Sequence, residues 1–128
     1  MSIYSDTTNG ILLLRPNQDV DFDAAKEIRE RLAIATDDDI DHVILDFSLA
    51  AFVSSATLQV VLDAANLIHK RHGCIAVTGA SEQFRSLLVT SDLLKIVPAF
   101  DSIKEAQAHL LTFLNENDSF LSGEDSET

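Results

Sequence analysis

The chain has 128 residues, 21 acidic and 9 basic side chains, and a formal charge of −12. That size, with 46% apolar residues, suits one globular domain that needs no disulfide or metal staple. The charge excludes a phosphate-backbone binder, which needs clustered Lys and Arg, and the lone Cys74 excludes a disulfide framework and fits a reducing compartment.

Ser2 to Thr7 and Ile11 to Arg15 read as two strands joined through Thr8-Asn9-Gly10, since Asn-Gly between strand-like runs signals a hairpin. Pro16 ends the second strand. Asp21 or Asp23 then opens a helix whose apolar positions Ala25, Ile28, Leu32 and Ala35 recur at helical spacing. The acidic run Asp37, Asp38, Asp39 and Asp41 marks a solvated loop. His42 to Phe47 is too short for a helix and rich in branched residues, so it reads as a buried strand. A second helix starts near Ser54 or Ser55, buries Leu58, Val61, Leu62, Ala65 and Ile68, and stops at Gly73. Cys74 to Thr78 is a further strand, and Ser81-Glu82-Gln83-Phe84 opens a short helix to about Leu88. Ile96 and Val97 form a brief strand ending at Pro98. Asp101 caps a last helix with Ile103, Ala106, Leu110, Leu111 and Leu114 on one face.

Strands separated by single helices want right-handed crossovers and a parallel sheet. The expected fold is therefore α/β: a small mixed, mainly parallel sheet of about five strands with four helices. Its exposed edge can pair with a second copy, which makes a homodimer one expected assembly. The domain is expected over residues 1–114. Residues 115–128 carry Glu116, Asp118, Glu124, Asp125 and Glu127 without a basic residue, and read as an acidic, disordered, solubilising tail. Within it, Phe120 and Leu121 alone have the apolar surface to dock.

The longest uncharged stretch, Phe47 to Leu62, is too short and too polar to span a bilayer, and Met1 to Gly10 lacks the basic residue and apolar core of a signal peptide. A cytoplasmic protein without direct membrane insertion is expected. His42, His69, His72 and His109 give no zinc spacing with Cys74, so no metal is expected. The segments after the strands supply no Gly-rich phosphate loop, so no cofactor is expected either. A Ser–His–Asp set from Ser54 or Ser55 with His69 and Asp63 fails on geometry, because His69 and Asp63 lie along the helix, away from its start. No catalytic residue is assigned, and the chain is not expected to be an enzyme.

The run from Leu45 to Leu62, Leu-Asp-Phe-Ser-Leu-Ala-Ala-Phe-Val-Ser-Ser-Ala-Thr-Leu-Gln-Val-Val-Leu, resembles the signature of the STAS domains, which include bacterial anti-sigma factor antagonists and the cytosolic domains of sulfate permeases. That family runs from an apolar strand ending in Asp-Leu-Ser through a short loop into Asp-Ser-Ser/Ala-Gly-Leu-Gly and an apolar helix. Asp19-Val20-Asp21-Phe22-Asp23-Ala24-Ala25, Thr78-Gly79 with Glu82 to Leu88, and Ile96 to Ala106 resemble the family's other segments, so the likeness spans roughly residues 3 to 114. It implies a regulatory binding module acting in signal transduction and transcription. Antagonists of this kind bind an anti-sigma factor that is also a serine kinase of the histidine-kinase ATPase type. The kinase phosphorylates a hydroxyl before the second helix and so switches binding off. A second version in the same fold is an accessory subunit of a membrane transport complex, with transporter subunits as partners.

With Leu58 fixing the frame, Ser54 falls at the family's Asp, Ser55 at the first hydroxyl, Ala56 at the second, Thr57 at the Gly and Gln59 at the following Gly. Ser55 is thus the phosphoacceptor candidate, with Thr57 and Ser54 behind it. On the plainer reading, Ser54 or Ser55 caps the helix by accepting an N–H hydrogen bond, a contribution of about 1 kcal/mol. Partner binding is expected at Asp21, Asp23, Ser54, Ser55 and Thr57. Asp21 and Asp23 either serve the first helix start or, with Asp19, form an acidic patch that steers a basic surface.

Overall fold

The computed structural model describes residues 3–38 and 40–122, with side chains to residue 112. Strands β1 (Ile3–Thr8) and β2 (Ile11–Pro16) form the expected antiparallel hairpin, from Ile3 opposite Pro16 to Thr8 opposite Ile11. Asn9 and Gly10 both take positive φ, 56° and 79°, which is the backbone a tight two-residue hairpin turn requires. Then come α1 (Phe22–Asp37), β3 (His42–Asp46), α2 (Ala56–Lys70), β4 (Cys74–Thr78), α3 (Glu82–Thr90), a 3-10 turn (Leu93–Lys95), β5 (Ala99–Phe100) and α4 (Ile103–Ser122).

The five strands lie in sequence order, parallel except for the β1–β2 pair. Because the order never reverses, crossovers of one hand put α1, α2 and α3 on the same face of the sheet. Their apolar stripes meet Leu12, Leu14, Val43, Leu45, Ile75 and Val77 in the main core. Alternate strand residues, Ile11, Ile44, Cys74 and Ala76, face the other way and are covered by Ala106 and Leu110 of α4. An unreversed order also lacks the switch point at which doubly wound sheets open a nucleotide crevice.

Several expected details shift. The last strand is Ala99–Phe100, after Pro98, with Ile96 and Val97 closing the 3-10 turn instead. Pro98 has no N–H, yet its carbonyl accepts from the Val77 N–H at 3.0 Å, so the ladder begins at the proline and continues beyond it. Helix α4 is capped by Ser102, whose Oγ accepts from the Glu105 N–H at 3.2 Å, whereas Asp101 pairs with Arg85 at 3.1 Å. Ala106 and Leu110 are buried, but Leu111 is on the exposed side of α4. The helix continues to Ser122, through the first eight residues of the segment expected to be disordered, where no Gly or Pro interrupts it before Gly123. Phe120 and Leu121, the two tail residues with apolar surface to dock, and Leu114, expected on the apolar face of the last helix, lie outside the described side chains. In α2 the innermost residues are Thr57, Val60, Val61, Ala64, Ala65 and Ile68, and Leu58 and Leu62 are partly buried. The left-handed residue after α2 is His72 (φ 63°). Gly73 serves a close approach, since a Cβ there would run into the Asp41 carbonyl.

Candidate functional site

Parallel strands bring the chain out of the sheet at one edge, so the segments after β2, β3 and β4 converge there. The loop after β3 is held from both sides. Asp46, 2% exposed, accepts from the Ser48 N–H (3.1 Å), the Ser48 hydroxyl (3.0 Å) and the Thr78 hydroxyl (3.0 Å). Gly79, at φ 65°, lies so close that a Cβ would sit 2.7 Å from the Ser48 backbone. Phe47 is fully buried and meets Phe84 edge-on, with ring centroids 5.3 Å apart.

Farther along, the loop zips onto the segment after β2. The Asp19 carboxylate accepts from the Phe52 N–H at 3.0 Å, Val20 N–H donates to the Phe52 carbonyl at 2.8 Å, and Ser54 N–H donates to the Val20 carbonyl at 2.8 Å. This one-residue parallel bridge between Val20 and Val53 sets the starts of α1 and α2 side by side. Asp19 was grouped with the acidic patch by sequence; the structure makes it a staple between two loops. The only trace of that in the sequence is its position in a short loop before a helix.

The helix starts are built differently. Asp21 is extended (ψ −170°) and its carboxylate accepts from the Ala24 N–H at 2.9 Å; Ser81 (ψ 162°) caps α3 in the same way at 3.2 Å. Ser55 already has helical dihedrals (φ −64°, ψ −23°), which swing its hydroxyl away from the N–H groups ahead, and it makes no side-chain cap bond. Ser54 does not cap either: its hydroxyl lies 3.3 Å from that of Thr57. The expected capping by Ser54 or Ser55 is therefore corrected. The first turn of α2 is closed by backbone bonds from Thr57 N–H to the Ser54 carbonyl and from Leu58 N–H to the Ser55 carbonyl, with the Ser54–Thr57 hydroxyl contact beside them.

Of the three hydroxyls, Ser55 is exposed, Ser54 half-buried and Thr57 wholly buried. Thr57 thus braces the turn from within and presents nothing to solvent. Asp21 and Asp23 are exposed beside Ser55's loop, and between them Phe22 is 71% exposed. Leu49 and Phe52 are also exposed on the loop after β3. These exposed apolar residues escaped sequence reasoning, because neither helical nor strand periodicity marks them.

A groove of about 310 Å³ runs from this edge along the α1–α2 seam, lined by Phe22, Ala25, Lys26 and Arg29 of α1 and Ala56 and Val60 of α2. A larger hollow of about 450 Å³ lies at the other end of α1, against Leu12, Leu14, Ile34 and Asp38, away from Ser55. Two titratable groups are shifted elsewhere. Burial pushes the His42 pKa below the ordinary histidine value, with Asp41 opposing, and burial raises the Cys74 thiol, with an Ile75 backbone hydrogen bond opposing. Both sit at the start of their strands, at the sheet edge opposite Ser55. Among the described residues, no cluster of His, Cys, Asp and Glu is arranged to hold a metal, and no helix is long and apolar enough to cross a membrane.

The chain is 26% identical over 111 residues to the anti-sigma F factor antagonist of Paenibacillus polymyxa, covering 86% of this chain and 95% of that protein. Its fold matches the crystal structure of an anti-sigma factor antagonist from Mycobacterium paratuberculosis with a TM-score of 0.76 at 16% identity, over 85% of this chain and 92% of that one. It also matches the phosphorylated form of the Bacillus cell fate determinant SpoIIAA, with a TM-score of 0.70 at 18% identity, over 84% and 98%. The family model of the STAS domain matches residues 2–106, so this chain, with its five-stranded mixed sheet and hydroxyl-bearing turn before α2, belongs to the STAS domain family.

Proposed function

We propose that this protein is a cytoplasmic, non-catalytic switch module of the anti-sigma factor antagonist kind, and that Ser55 is its phosphoacceptor. The observation that carries this reading is the Ser55 hydroxyl: exposed, at the start of α2, and without the cap bond that Asp21 and Ser81 make at their helices. A hydroxyl with no structural task is free for modification. At the same end of the sheet, exposed Phe22, Leu49 and Phe52 offer apolar contact and exposed Asp21 and Asp23 negative charge, which suits a partner with apolar and basic groups. The relatives support the same reading, one being an anti-sigma F factor antagonist and another a protein with a phosphorylated form.

The partner is an anti-sigma factor that is also a serine kinase of the histidine-kinase ATPase type. In the transfer, the Ser55 oxygen forms a bond to the γ-phosphorus of ATP, the bond to the β-phosphate oxygen breaks, ADP leaves, and the serine proton passes to a base on the kinase. The product carries nearly two added negative charges on the binding face. Binding to any surface matched to the unmodified face then weakens.

The test is incubation with ATP and each such kinase encoded in the same genome, followed by phosphopeptide mapping and a binding titration. One phosphate on Ser55, absent in Ser55→Ala, with weaker binding after modification, is expected. Equal binding before and after full modification, or phosphate placed elsewhere, overturns the proposal. Unmodified protein that binds the cytosolic parts of a transporter would instead favour the accessory-subunit version.

A further inference from the structure

Building on the assignment of Ser55, we propose that Lys26 of α1 is the receptor for the phosphoryl group of phospho-Ser55, so that the modification folds across the α1–α2 groove instead of projecting into solvent. Ala56, the residue after Ser55, lines the same groove as Lys26, together with Phe22 and Val60. The groove therefore joins the modified turn to the lysine.

Two further observations favour Lys26. The chain has only nine basic residues against 21 acidic ones, and two of those nine, Lys26 and Arg29, line this one groove. They are not equivalent. Arg29 pairs with Asp63 at 3.3 Å, and Asp63 is further held by Gln59 at 2.8 Å. Lys26 is exposed and has no ion pair among the described residues. Its flexible stem and point charge suit a phosphate that arrives only on modification. The first turn of α2 carries no acidic side chain to compete for the lysine, whereas Asp19, Asp21 and Asp23 lie on the facing segment and oppose the phosphate. A phosphate drawn to Lys26 covers the apolar floor of Ala25, Ala56 and Val60, with Asp23, one turn before Lys26 on α1, as the carboxylate that opposes it there. The switch then removes a binding surface as well as adding charge to it.

The experiment installs phosphoserine at position 55 during translation, so no kinase is needed, and follows the second ionisation of the phosphate by phosphorus NMR. A phosphopeptide of the same turn, which lacks Lys26, is the reference. The second pKa is expected about half a unit or more below the reference in the folded protein. Lys26→Gln returns it to the reference or above, where Asp19, Asp21 and Asp23 dominate, and Arg29→Gln changes it less. A folded-state value at or above the reference, or a lowered value that Lys26→Gln leaves in place, overturns the proposal. If no kinase modifies Ser55, the assignment of Ser55 falls, but the installed phosphate still reports on Lys26.

Discussion

Replacing Asp46 by Ala removes the acceptor shared by Ser48 and Thr78 at the base of the loop that leads to Ser55. The two hydroxyls fare differently. Ser48 is exposed, so water can replace the lost acceptor for its hydroxyl. Thr78 is 1% exposed, and its hydroxyl is left buried with no acceptor among these partners. A stranded buried donor costs about 1–3 kcal/mol, and bonds to a charged acceptor are worth about 1.5–3 kcal/mol each, so a loss of about 2–4 kcal/mol is expected. Asp46→Asn is the informative companion. The Ser48 N–H and the Thr78 hydroxyl both bond Oδ1, which Asn retains, and the Asn amide can donate to Ser48 Oγ. Its cost should stay below about 1.5 kcal/mol. Urea denaturation measures both, and a cycle with Thr78→Val should show coupling of about 1 kcal/mol. Equal losses in the Ala and Asn variants, or a cycle without coupling, would show that the carboxylate does not latch the loop.

Gly79→Ala forces a left-handed residue at about 1–2 kcal/mol and drives a Cβ into Ser48. Gly10→Ala, with the same backbone demand but open space around it, should cost clearly less in the same denaturation assay. His42 is held neutral by burial, so the unfolded chain binds its proton more readily than the native one. Stability should therefore fall as pH drops below about 6.5, the ordinary histidine value, and His42→Gln should flatten that slope in urea titrations across pH. Asp21→Ala removes a cap and should cost about 1 kcal/mol, whereas Ser55→Ala should alter stability by less than about 0.5 kcal/mol because it removes no cap bond. A large loss at Ser55 by thermal or urea unfolding would mean that its hydroxyl has a structural task after all.

Much of the architecture was legible because burial imposes periodicity. The repeat of Ala25, Ile28, Leu32 and Ala35 specified α1 and its inner face, and the short runs 42–47 and 74–78, rich in branched apolar residues, specified the two central strands, because a strand covered on both faces reads as a nearly continuous apolar run. Asn9-Gly10 fixed the hairpin, since few other residues tolerate two successive positive φ values. The order of motifs around Asp21, Ser55 and Glu82 also brought the family resemblance, which the family model bears out. What local sequence did not determine was the state of each hydroxyl and carboxylate at the site. Whether Ser55 caps depends on its ψ angle, in a loop that the Val20–Val53 bridge ties to a segment more than thirty residues away. The same bridge region turned Asp19 into a staple, and burial of the first turn took Thr57 out of solvent. The groove with Lys26 exists only because α1 and α2 pack side by side. Hydrophobic patterning acts through the neighbours of each residue along its own element, and so one chain reveals it. Which polar group is spent on the fold and which is left for a partner is decided across the sheet edge, where only the assembled structure brings the groups together.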